Sequence, residues 1–171
     1  MTPPERLTID VNVARDDLDR DRPGHRDAVE LFDLARRGEV ELATAPQGYR
    51  LDVEGNLAGQ LRKALERERV APTRQVARVG PATYPGPDLI VGHYVEGFPE
   101  ACDRIVASWR SHEGRPPEGP DRLHVETHVI ERRDVFVTAD RALRALCHRL
   151  NDEYGYSIAA MSVAEFLKCR S

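Results

Sequence analysis

The sequence predicts a doubly wound α/β domain, and three observations carry the prediction. Short β-prone runs near residues 7–11, 40–44, 135–138 and 156–160 alternate with stretches of helical spacing. Val135-Phe136-Val137 is a compact apolar run, the length of an interior parallel strand. A strand, then the amphipathic stretch His25 to Arg37, then Val40 to Thr44 implies a right-handed parallel crossover.

The elements run in order along the chain. Leu7-Thr8-Ile9-Asp10-Val11 reads as a strand ending at an acid, with Asn12 just beyond. Arg15 to Arg26 is dense in Asp and Arg around Pro23-Gly24. It reads as a solvated loop or frayed helix end, with Asp16, Asp17, Asp19 and Asp21 as surface charge. In the next helix Ala28, Leu31, Phe32 and Ala35 share one face, and Gly38 ends it. Gly48 to Leu57 reads as a further helix carrying Asp52 and Glu54. Gly59 to Val70 reads as a charged one, with Arg62, Lys63, Glu66, Arg67, Glu68 and Arg69 mostly on a solvated face.

The chain from about residue 71 to 98 is rich in Pro and Gly and predicts an irregular insertion in a single domain spanning 1–171. Its Arg74, Arg78, His93 and Tyr94 are candidate substrate contacts, and an inert insertion is an equal reading. Helical spacing resumes over Pro99 to His112, with Cys102, Ile105, Val106 and Trp109 inward. Asp121 stands at the next helix start, after Gly119-Pro120. Arg141 to Leu150 is helical, Tyr156 to Met161 predicts a last strand, and Ser162 caps a terminal helix with Val163, Phe166 and Leu167.

Composition narrows the function. At 171 residues, 32% charged and 40% hydrophobic, the chain is expected to be soluble and cytoplasmic. A net charge of −4 argues against gripping nucleic acid by bulk positive charge, although 25 Lys and Arg allow a local basic patch. No run approaches the ~18 apolar residues of a membrane span, so no membrane partner is expected. Cys102, Cys147 and Cys169 are widely spaced, which predicts reduced thiols rather than a zinc site.

In an open α/β sheet, ligands collect at the carboxyl ends of the strands, beside the switch point. Asp10, Thr138 and Asp140 are expected there, and Asp121 at its helix start can enter the same crevice. Carboxylates that share a cleft repel one another unless one is protonated or a cation sits among them. Mg²⁺ or Mn²⁺ suits such oxygen donors, and a bound ion activates water toward a phosphodiester. His124 and His128 flank Glu126 in the order His-Val-Glu-Thr-His, not the zincin order, so packing or a supporting hydrogen bond is their expected role. Asn12 in place of a second Asp counts against a phosphatase of the Asp-x-Asp type. Arg132, Arg133, Arg141 and Arg144 are candidate phosphate contacts, with ordinary surface charge the simpler account of each.

Asp10-Val11-Asn12, the run Asp121 to His128, and Val135-Phe136-Val137-Thr138-Ala139-Asp140 resemble the PIN-domain ribonucleases. The resemblance runs through nearly the whole chain, closely over 121–143 and poorly over 55–119. It implies a three-layer α/β/α sandwich with a central parallel sheet, and metal-dependent cleavage of single-stranded RNA. By that resemblance Asp10, Asp121 and Asp140 hold Mg²⁺ or Mn²⁺, with Asn12 and Thr138 in support. The family's second acid, a Glu after the second strand, meets Leu51 here. Asp52 is the expected catalytic substitute and Glu54 its supporting alternative. Many members are toxins of toxin–antitoxin pairs, so an antitoxin protein and a homodimer join RNA as candidate partners. The competing expectation is a PIN-like domain without catalysis that binds RNA or protein.

Overall fold

The computed structural model describes residues 3–45, 56–68, 70–72, 95–110 and 114–170. Five strands form one sheet: β1 (Glu5–Ile9), β2 (Val40–Thr44), β3 (Ala71–Pro72), β4 (Val135–Val137) and β5 (Ala160–Met161). Their spatial order is β3-β2-β1-β4-β5, and every neighbouring pair is parallel. The central strand pairs Leu7 with both Leu42 and Val135, so its carboxyl end is level with those of its neighbours.

Side-chain alternation along the strands assigns the two helical layers. Leu7, Ile9, Val135 and Val137 pack on α1 (Val11–Leu18), α2 (His25–Arg36), α3 (Asn56–Arg67) and α7 (Val163–Arg170). Phe136 points the other way, into α4 (Phe98–Ala107), α5 (Gly119–Glu131) and α6 (Arg141–Tyr154). The result is the expected α/β/α sandwich around a parallel sheet. Parallel strands buried on both faces need continuous apolar runs, which is why Val135-Phe136-Val137 is apolar at every position. Among the described residues, no helix is long and apolar enough to cross a membrane.

Several boundaries differ from expectation. The first strand stops at Ile9, because the Asp10 side chain accepts a hydrogen bond from the Val13 amide and starts α1 immediately. Residues 11–18 are therefore a packed helix, and the loop begins only at Asp19. The last strand shrinks to Ala160–Met161, since the Asn151 amide engages both the N–H and C=O of Ile158 before the chain reaches the sheet. Ala71 and Pro72, counted with the insertion, instead form the edge strand β3, where proline is tolerated. Residues 73–94 and most of the expected helix over 48–57 lie outside the described residues.

Not all the charge around α1 is on the surface. Asp16 is buried, pairs with Arg22 Nε, and its carbonyl lies 2.8 Å from His25 Nδ1. The Asp17 and Glu68 side chains are also almost fully buried. Arg67 approaches Asp17 at 3.6 Å, and Glu68 accepts bonds from Arg36 and Arg67, both at 2.6 Å. The reason is periodicity. Asp17 falls four after Val13 and three after Ala14, and Glu68 continues the inward series Leu61, Ala64, Leu65. Burial and the Glu68 charge push the Asp17 carboxyl up, against the pull of Arg67 and Arg36.

Gly24 owes its identity to this packing. A Cβ there would stand 2.8 Å from the Asp16 carboxyl carbon. Gly24→Ala is expected to destabilise the fold by roughly 1–3 kcal/mol, the usual cost of overpacking. Urea unfolding measures it; an unchanged midpoint would mean that Asp16 moves aside freely.

Candidate active site

The switch point lies between β1 and β4, and two acids stand there because both strands end in a helix cap. Asp10 comes directly after Ile9, and its amide donates to the Val137 carbonyl at 3.2 Å, carrying the ladder one residue past the strand. One carboxylate oxygen accepts from Val13 N at 3.1 Å, and the other accepts from the Thr138 hydroxyl. Asn12 contributes through its backbone N–H, which also favours the ionised form. Its side chain makes no hydrogen bond to a described residue.

Asp10 is only 2% exposed. Burial raises its pKa to about 6; the bonds from Thr138, Val13 and Asn12 resist the rise, and the charge of Asp140 adds to it. Asp140 caps α6, using Oδ1 for both Ala142 N (2.7 Å) and Leu143 N (3.3 Å). Its own amide donates to Thr138 Oγ1 at 3.0 Å. Thr138 thus bridges the two acids, donating to one and accepting from the other residue's backbone.

Asp121 reaches the same crevice from α5. It sits in the first turn, where Oδ2 accepts from the Glu118 amide at 3.0 Å in a capping box. Burial pushes its pKa up; the Glu118 N–H opposes this, and the Asp140 charge reinforces it. Asp140 therefore acts electrostatically on both other acids. Asp121 and Asp140 open into a cleft of about 540 Å³ walled by Arg115, Pro117, Arg141 and Ala145. Asp10 lies buried at the switch point beside Asp140.

The donor chemistry fits a hard divalent cation. Each of Asp121 and Asp140 lines the cleft and commits one carboxylate oxygen to a helix cap, leaving the other outside the cap. Mg²⁺ is commonly held by one or two carboxylates and completes its shell with water. Among the described residues, no three His, Cys, Asp or Glu side chains gather closely enough to ligate one ion together. Asp52 and Glu54, the expected second acid and its alternative, lie outside the described residues, as do Arg74, Arg78, His93 and Tyr94.

The two histidines belong to the packing under the sheet. His128 Nδ1 lies 3.1 Å from Thr8 Oγ1, and its ring packs at 5.7 Å from Phe136. Burial lowers the pKa of His124 and of His128 to about 4, with Arg133 contributing for His128. Both rings are neutral at pH 7.

The structure also separates the four arginines. Arg133 is buried, and its guanidinium donates to the Leu7 and Glu41 carbonyls and to the Glu41 carboxylate. Surface charge is the simpler reading of it from sequence, but the sharp left-handed turn at Arg132 (φ 48°) brings it under the sheet. Arg144 pairs with Glu165 at 2.9 Å, and Arg132 is exposed at the far end of α5. Arg141 alone of the four lines the cleft. No family model matches this sequence, and no curated protein matches it.

Proposed function

We propose that the protein is a metal-dependent ribonuclease of the PIN-like kind, cutting single-stranded RNA at the crevice between β1, β4 and α5. The observation that carries this reading is geometric: Asp121 and Asp140 line one cleft, and Thr138 ties buried Asp10 to Asp140 at the switch point. Burial is the main cause that raises the pKa of Asp10 and of Asp121, and the Asp140 charge adds to both, a repulsion that a cation would relieve. A bound Mg²⁺ or Mn²⁺ would supply water activation and neutralise charge on a phosphoryl oxygen.

The chain's own residues have defined parts. Asp140 and Asp121 line the cleft, and their cap bonds hold each carboxylate in place. Asp10 adds negative charge beside them, fixed by Val13 and Thr138. Thr138 holds the relative positions of Asp10 and Asp140. Asp52 or Glu54 is the proposed further acid, and an antitoxin, a homodimer and a cytoplasmic location belong to the same proposal.

Mn²⁺ calorimetry on the wild type and on Asp140→Asn tests the reading, followed by cleavage of a labelled single-stranded RNA. Asparagine remains a good helix cap, so the variant should fold. Loss of metal binding and of cleavage in Asp140→Asn is the expected result. A wild type that binds no metal at millimolar concentration overturns it.

A further inference from the structure

We infer that Arg141 and Arg115 form a phosphate-binding subsite for single-stranded RNA at the mouth of the acidic cleft. The inference rests on the ribonuclease reading of that cleft. Both arginines line it together with Asp121 and Asp140, so two cations and two carboxylates share one cavity. A cavity of acids alone repels a polyanion; one with separate basic groups can hold a phosphate beside the acids.

Arg141 is exposed and has no ion-pair partner among the described residues, unlike Arg133 and Arg144. It occupies the first position of α6, where the helix dipole disfavours a cation. Helix stability therefore does not account for it. A guanidinium there is available to an anion that enters the cleft, and its planar fork suits phosphate oxygens.

Arg115 lines the same cleft from the segment that leads into α5. Its ion pair with Glu118 is strongly exposed on both sides, and such pairs are weak and readily exchanged. The wall that carries it is tied down: Trp109 Nε1 donates to the Gly114 carbonyl at 3.0 Å, and Arg122 Nε donates to the Pro117 carbonyl at 3.2 Å. Arg122 is in turn held by Asp103 at 2.6 Å. The two arginines thus sit on anchored elements that border the same cleft as the acids.

The test is fluorescence anisotropy with a labelled, mixed-sequence single-stranded oligoribonucleotide in EDTA, titrated at several salt concentrations. Each phosphate contact contributes about 0.7 to the slope of log K against log salt for single strands. Arg141→Gln and Arg115→Gln should each weaken binding several-fold and flatten the slope by about 0.7. The double variant should flatten it by about 1.4. Arg132→Gln, exposed at the far end of α5, should leave binding unchanged. Wild-type binding whose strength and slope survive Arg141→Gln overturns the subsite and leaves the nuclease reading standing. Arginine-dependent binding without Mn²⁺-dependent cleavage supports the subsite and sinks the nuclease. Absence of RNA binding by the wild type overturns both.

Discussion

Asp10→Asn should make the metal-free protein more stable at pH 8 and inactive at every pH. Asp10 is buried with a pKa near 6, so ionising it in the fold costs free energy that ionising it in the unfolded chain does not. At ~1.4 kcal/mol per pH unit, a rise from 3.8 to about 6 is worth on the order of 3 kcal/mol. The sign comes from linkage: a raised carboxyl pKa leaves stability intact below the unfolded value, and stability is lost as pH rises through 4 to 6. Asparagine keeps an oxygen for the Val13 amide and carries no charge. The variant should gain up to about 3 kcal/mol at pH 8 in EDTA and nothing below pH 4. Urea unfolding at both pH values measures this. A variant less stable than wild type at pH 8 would show that the Thr138 and Val13 bonds already hold the carboxylate comfortably. The expected pairing of higher stability with lost activity is the mark of a charge kept for chemistry.

The second large effect has the opposite pH sense. His124 and His128 are buried with pKa values near 4, so each contributes stability above pH 6.5 that is lost as pH falls through 4. Each ring is worth on the order of 3 kcal/mol, and both together about 6, comparable to the whole stability of many domains. Asp10 opposes them over much of the same range, so the wild type should lose roughly 3 kcal/mol between pH 6.5 and 4. In Asp10→Asn that compensation vanishes, and the loss should be about twice as large. His128→Asn keeps a polar group toward Thr8 but removes one titration, so its acid-unfolding midpoint should move to lower pH. NMR titration of the imidazoles provides a direct check. Rings that titrate near 6.5 in the folded protein would remove the basis for this prediction.

The two predictions separate stability from function within one sheet. On the α5 side, below the strand ends, the neutral His128 ring and Thr8 fill space beside Phe136. At the carboxyl ends of β1 and β4, ionisable acids are held in place by backbone donors and Thr138. Only the second arrangement borders an open cleft, which Asp140 lines.

Local sequence already determined four of the five described strands and the address of the acids, but not the edge strand β3. An apolar run at 135–137, the alternation of short strands with helices, and acids directly after β1 and β4 are read from neighbouring residues. Parallel connectivity then sends both acids to one edge, because every strand points the same way. Capping reinforced this, since Asp10 and Asp140 mark the strand ends as well as the helix starts.

Tertiary structure decided which charges are buried. Asp16, Asp17, Glu68 and Arg133 look like surface residues in a charged sequence, and each is enclosed because a partner from a distant segment or a nearby turn satisfies it. Asp17 and Glu68 carried a faint signal in their inward helical spacing, outweighed by the surrounding charge. Arg133 carried none, since its carbonyl partners at Leu7 and Glu41 lie far away in the chain. The choice among Arg132, Arg133, Arg141 and Arg144 was likewise tertiary. Electrostatic surroundings depend on what the fold places within a few ångströms, and sequence proximity does not report that distance.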